Sequence, residues 1–230
     1  MKLEALGISR IFFRSGRGTN YFHAVESTDF VLQQGRLTEI IGRSGSGKTT
    51  FLHMLSGLLT PSEGKVLLDG TDFYGLDDQK RSLLRNQSIG MIPQGQTGLA
   101  ALTVLENVLA PAAMYGDPAS RRARASELLE LVGISDLENV YANELSGGEL
   151  RRMSIARALI NDPPIVMADE PTGDLDDETT KLVIELLVDY AKRGASVLMV
   201  THEQAALPYA DLIYRMDKGV LRECGAGERW

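Results

Sequence analysis

Apolar and polar positions alternate along the first 35 residues, interrupted by the Gly- and Asn-containing run "RSGRGTN". That two-residue period predicts antiparallel strands joined by a turn. The pattern then changes. "LTEIIG" reads as a short buried strand, and "KTTFLHMLSGLL" behind it as a helix stopped by Pro61. "KVLLDG" predicts another strand, "LDDQKRSLLRNQ" a helix, and "IGMIPQ" a strand running into a loop. From about Gln96 to Glu144 the spacing is helical and no strand intervenes, as in "TVLENVLAPAAMYG" and "PASRRARASELLELVG". A helix opened by Ser146 follows, then the strand "IVMAD", the helix "ETTKLVIELLVDYAKR" and the strand "SVLMVT". "LIYRMDKGVL" reads as one closing strand. Strands alternating with helices on both sides of a helical stretch predict an α/β fold with a mostly parallel sheet. The antiparallel β subdomain comes first, and the helical insertion spans about 96–160 of a single 1–230 domain.

Composition narrows the classes. The chain is 43% hydrophobic and 24% charged, enough apolar material for a core. A net charge of -7 argues against nucleic acid as a partner, because no basic excess is present to displace counterions. The run "SRRARA" is locally basic and reads as a solvated helix face. The single cysteine, Cys224, makes no internal disulfide, and no metal-ligand spacing occurs, so a reducing compartment is expected. "MKLEALGISR" lacks the apolar centre of a signal peptide. No stretch approaches the ~18 apolar residues of a membrane span. The longest mostly apolar region, Ala100 to Tyr115, is broken by Glu106, Asn107 and Pro111. A membrane role would therefore be exercised from outside the bilayer.

Three stretches carry chemistry. "GRSGSGKTT", from Gly42 through Arg43, Ser44, Gly45, Ser46, Gly47, Lys48 and Thr49 to Thr50, fits the P-loop pattern between a predicted strand and a predicted helix. Its glycines let backbone N–H groups wrap phosphates, Lys48 sets a charge against them, and Thr49 offers a hydroxyl to Mg²⁺. In "IVMADE", an apolar strand delivers Asp169 and Glu170 to the sheet edge where parallel α/β folds bind ligands. Asp169 there suits a metal ion, and Glu170 suits polarising a water. "ELSGGELRR" places Ser146, Gly147 and Gly148 at the start of a helix, a second anion site in a chain that already has one.

These motifs stand in one order with Gln94 in "MIPQ", the tract "IVMADEPTGDLD" and His202 in "MVTHE". The set resembles the ATPase subunits of ABC transporters over essentially the whole chain. The resemblance implies ATP and Mg²⁺ as cofactors, with Thr49, Gln94 and Asp169 as metal ligands. It implies Glu170 as catalytic base, His202 as the switch histidine on the γ-phosphate, and Gln94 as the link between the helical insertion and the site. Asp174 and Asp176 fall in the D-loop, with Asp176 at the family's usual aspartate. The family stacks an aromatic on adenine. Phe13 is the choice by its offset to the P-loop, with Tyr21 and Phe12 as rivals. His23 and His53 are read as structural, and Tyr74, Met114 and Tyr115 as core packing, with packing against a partner helix as their alternative. Leu150 departs from the glutamine common after the signature, a change of minor expected effect.

The resemblance also implies a partner arrangement. Two copies would pack head to tail, each signature turn capping the γ-phosphate on the other copy's P-loop, beside a separate membrane permease. The expected location is the cytoplasmic face of the cytoplasmic membrane. "ADEPTGDLD", "LTVLENV" and the short length resemble the lipoprotein-release and macrolide-export branch, whereas nutrient importers often carry an accessory C-terminal domain. Efflux or extraction of a lipophilic, lipoprotein or peptide substrate is the expectation. A signalling ATPase driving an envelope hydrolase in cell division is the alternative. A DNA-repair type would need a long coiled coil between P-loop and signature, and the sequence has none.

Overall fold

The computed structural model describes residues 1–14, 20–95, 97–173, 175–202 and 206–224. The opening alternation becomes β1 (Leu3–Arg14) and β2 (Asn20–Leu32), paired antiparallel with register shifts between Ala5 and Ile11. The turn between them lies outside the described residues. β3 (Leu37–Ile41) runs into α1 (Lys48–Leu55), followed by β4 (Glu63–Leu68) and the short β5 (Thr71–Asp72). Strands β2-β1-β4-β5 form a four-stranded antiparallel sheet. Helix α1 ends well before Pro61. Gly57 holds φ +75° there, and a Cβ on it would sit 2.5 Å from the Phe73 ring, so glycine is what stops the helix.

Next come α2 (Asp78–Ser88), capped by the Asp77 carboxylate accepting from Lys80 N–H, and β6 (Ile89–Ile92). Three helices follow: α3 (Val104–Tyr115), α4 (Arg122–Leu131) and α5 (Gly147–Leu159). The expected start of this insertion at Gln96 lies outside the described residues. Buried Asn107 pins the entry to α3, its amide donating to the carbonyls of Leu99, Leu102 and Thr103. The basic run in and before α4 is not simply solvated. Arg121 and Arg124 both pair with Asp162, and Arg124 also with Glu127.

The chain closes with β7 (Ile165–Asp169), α6 (Asp177–Lys192), β8 (Ser196–Thr201), β9 (Leu212–Asp217) and β10 (Val220–Glu223). "LIYRMDKGVL" is therefore a hairpin, not one strand. Lys218 (φ 48°) and Gly219 (φ 82°) form its two-residue turn, the left-handed pair that matches strand twist. The second sheet runs β10-β9-β3-β8-β7-β6, parallel except for β10.

Alternation along its strands makes two cores. Ile40, Met167, Leu198 and Val200 pack with Phe51 and Leu55 of α1 against the antiparallel sheet. Leu37, Val166, Val197 and Met199 face α5 and α6. Burial of this kind contributes about 25 cal/mol per Å² of apolar surface. Met114 is 65% exposed and Tyr115 is exposed as well, so neither packs in the core as the sequence suggested; the Tyr115 hydroxyl instead donates to Ser82 Oγ of α2 (2.9 Å). Tyr74 does pack inward, its hydroxyl 2.7 Å from the carbonyls of Met54 and Leu59.

Candidate nucleotide site

Five parallel strands end along one edge of the six-stranded sheet, and their following loops build a cleft of about 1240 Å³. The loop after β3 contributes all of Gly42 to Thr50, β6 leads to Gln94, β7 to Glu170, and β8 to His202. This is the carboxyl edge where such sheets bind ligands.

The P-loop is held open by its glycines. Gly47 sits at φ 110°, and a Cβ there would meet Ala24 O at 2.2 Å, so only glycine lets the loop pass under β2. It caps α1 without a side chain, which leaves the first-turn N–H groups aimed at the cleft. Lys48 Nζ donates to Gly42 O (2.7 Å) and Arg43 O (3.2 Å), and lies 3.9 Å from Glu170 Oε1. Burial lowers its ammonium pKa, opposed by the charges of Glu170 and Asp169.

Asp169 is fully buried beneath the cleft and accepts from Thr49 Oγ1 at 3.2 Å. Its Oδ2 is buried without a hydrogen-bond partner. Burial raises its pKa, with the Thr49 hydroxyl pulling the other way. Glu170 holds φ 48°, a left-handed conformation that a glutamate adopts only when its surroundings impose it. Its N–H donates to Val200 O (2.9 Å), extending the sheet pairing by one residue. Its carboxylate accepts from Thr201 Oγ1 (2.9 Å) and His202 N–H (3.2 Å), and Oε1 lies 2.9 Å from His202 Nδ1. Two adjacent strand ends thus aim one carboxylate into the cleft.

The other expected residues lie elsewhere. Phe13 is 84% exposed and does not line the cleft, which corrects its assignment to the base. Alternation along β1 turns Phe12 inward instead, stacked on Phe22 with ring centroids 5.7 Å apart. The rival Tyr21 is exposed. His23, given a structural role from sequence, lines the cleft beside Phe22 and Ala24.

Ser146, Gly147 and Gly148 open α5 and line no part of this cleft. Ser146 forms a capping box: its Oγ accepts from Glu149 N–H (3.4 Å), while its own N–H and hydroxyl donate to Glu149 Oε2 (each 2.7 Å). Those two bonds hold the Glu149 carboxyl below its ordinary range. Leu150 packs against the core of the helical region, which absorbs the departure from glutamine. Arg151, on the same helix, donates to Pro93 O at 2.8 Å, tying the helix to the residue before Gln94. Asp176 caps α6, accepting from Thr179 N–H and Oγ1. Asp174 lies outside the described residues.

The sequence reading also missed Arg215, Met216, Asp217, Lys218 and Gly219, which form one wall of the cleft. The Asp-Lys-Gly turn was visible as a turn signal; its place beside the P-loop depends on β9 pairing with β3.

Comparison with known proteins bears on this geometry directly. The family profile described as "ABC transporter" matches residues 25–173. The chain belongs to the ABC transporter family. It is similar to the lipoprotein-releasing system ATP-binding protein LolD of Xanthomonas euvesicatoria pv. vesicatoria, 39% identical over 200 residues, 86% of this chain and 82% of that one. It is also similar to the methionine import ATP-binding protein MetN of Corynebacterium diphtheriae, 38% identical over 228 residues, 98% of this chain and 66% of that one. A solved structure of the ATP-binding cassette MJ0796, described as a dimeric post-hydrolysis state with ADP and Pi, superposes with a TM-score of 0.88. It is 31% identical and covers 96% of this chain and 98% of its own. The chain is thus an ABC-type ATPase, an ATP-binding subunit with the ABC ATPase fold. Among the described residues, no helix is long and apolar enough to cross a membrane.

Proposed function

We propose that two copies of this chain close head to tail around two ATP molecules and drive a separate membrane permease. One observation carries the reading: Ser146, Gly147 and Gly148 top a helix with anion-binding polarity, yet lie outside the cleft of their own P-loop. A second copy supplies the phosphate they face. The helix N-terminus contributes about 0.3–2 kcal/mol there, beyond its hydrogen bonds. The dimer described for the MJ0796 cassette supports the arrangement.

Each residue then has a task. Gly42 to Thr50 wrap the phosphates, and Lys48 turns from the Gly42 and Arg43 carbonyls to the β- and γ-phosphates. Thr49, Asp169 and Gln94 would hold Mg²⁺, and the unpartnered Oδ2 of Asp169 fits that role. Among the described residues no cluster of three His, Cys, Asp or Glu side chains could hold a metal, which fits an ion that would arrive with the nucleotide. Mg²⁺, when bound, supplies positive charge at the β- and γ-phosphates. Glu170 takes a proton from the water whose oxygen attacks the γ-phosphorus. The bond to the β-phosphate oxygen breaks, and ADP leaves with its electron pair. His202 donates to the γ-phosphate, and Asp176 sits at the copy-to-copy contact. Phosphate loss removes the ligand that both copies share, and the dimer opens.

The chain acts at the cytoplasmic face of the cytoplasmic membrane as one cassette, with about 96–160 as its helical arm. "ADEPTGDLD" and "LTVLENV" favour efflux or extraction of a lipophilic, lipoprotein or peptide substrate. The test is size-exclusion chromatography of Glu170→Gln with ATP, which should give a dimer that a further Ser146→Arg change abolishes while nucleotide binding persists. A Glu170→Gln protein that binds ATP and stays monomeric would remove the shared-site reading. Co-purification of a polytopic membrane protein from detergent-solubilised membranes checks the permease.

A further inference from the structure

Four described non-glycine residues hold positive φ: Asp69, Asp162, Glu170 and Lys218. Aspartate tolerates that conformation through local hydrogen bonding. Glutamate and lysine do not, and those two line the nucleotide cleft. In a two-residue turn followed by glycine, asparagine or aspartate is the favoured partner. A lysine at such a position breaks the local rule, which is expected where the side chain serves the site.

The fold says which part of the site. The turn follows β9, which pairs with β3 on the side away from β8 and β7. Lys218 therefore stands at the same sheet edge as the P-loop, on the flank opposite Glu170 and His202. Gly219 N–H donates to Ser46 O of the P-loop (2.8 Å), and Glu26 N–H of β2 donates to Gly219 O (2.9 Å). These bonds seat the turn between the phosphate cradle and the strand that carries Phe22. With the γ-phosphate at Glu170 and the base toward Phe12, that position corresponds to the ribose and α-phosphate. The exposed Lys218 shares this wall with Arg215 and Asp217.

We infer that Lys218 binds the α-phosphate of the nucleotide, setting affinity for the part common to ATP, ADP and AMP without taking part in hydrolysis. The inference rests on the ATP reading of the cleft. Titration calorimetry with the three nucleotides on the full chain tests it, using wild type, Lys218→Asn and Lys218→Arg. Lys218→Asn should weaken all three by a similar factor of about ten, the scale of one charge-assisted contact. Its kcat at saturating ATP should stay near wild type. Asn-Gly suits this turn better than Lys-Gly, so thermal stability should hold or rise, opposite to what a purely structural lysine predicts. Lys218→Arg should restore binding. Unchanged affinity in Lys218→Asn, or loss confined to ATP, would overturn the inference. Failure of the wild type to bind any of the three would instead remove the ATP reading, and the inference with it.

Discussion

Glu170 is the proposed base, and its geometry suits that role. A left-handed backbone at the end of β7 swings the side chain off the strand line, and donors from Thr201 and His202 lock it. The Asp-Glu pair after an apolar run was legible in the sequence. The locking was not, because Thr201 and His202 come from a strand some thirty residues later. Glu170→Gln should keep ATP affinity and lower kcat by about 10²–10⁴, the usual worth of a positioned base, as read by phosphate release. Full turnover would exclude Glu170 as the base. The adenine side shows the opposite limit: Phe12 and Phe13 are adjacent, and only the pleat of β1 decides which one faces the cleft.

At the scale of the element, β3 carries an unusual feature into the centre of the sheet. "LTEIIG" reads as a buried strand and is one, yet its middle residue is Glu39, fully buried with neither carboxylate oxygen hydrogen-bonded. The period of two places it on the face of Leu37, opposite Met199 of β8. Burial pushes its carboxyl from 4.5 up to about 7. Between those values the unfolded chain is ionised while the native chain keeps its proton. The unfolded state thus binds fewer protons there, and stability falls as pH rises through that window. At roughly 1.4 kcal/mol per pH unit, the loss attributable to Glu39 is at most about 3.5 kcal/mol. Glu39→Gln should erase it, gaining on wild type between pH 5 and pH 8 in urea unfolding. An unaltered difference between the two proteins at both pH values would contradict the assignment.

The whole molecule supplies what neither residue nor element could: relative position. The sheet order β10-β9-β3-β8-β7-β6 gathers five loop ends at one edge, while α5 carries its signature turn outside that cleft. An isolated copy then has only half of each proposed site. ATPase activity per chain should accordingly fall on dilution and rise with protein concentration, measured by steady-state phosphate release. Strict proportionality to chain concentration down to low nanomolar levels would argue for a self-sufficient monomer.

Periodicity and turn chemistry alone determined the α/β class, the antiparallel start, the run of helices between β6 and β7, the P-loop and the Asp169-Glu170 pair. Those are local properties, written in spacings of two and 3.6 residues and in glycines the backbone cannot do without. The tertiary structure decided the rest: that Phe12 and not Phe13 lines the cleft, that "LIYRMDKGVL" folds back on itself, that the Lys218–Gly219 turn meets the P-loop, and that Ser146 does not. Each of these depends on which strands pair and which face of a pleat points inward. Distant segments settle such questions together, and no window of sequence contains both partners.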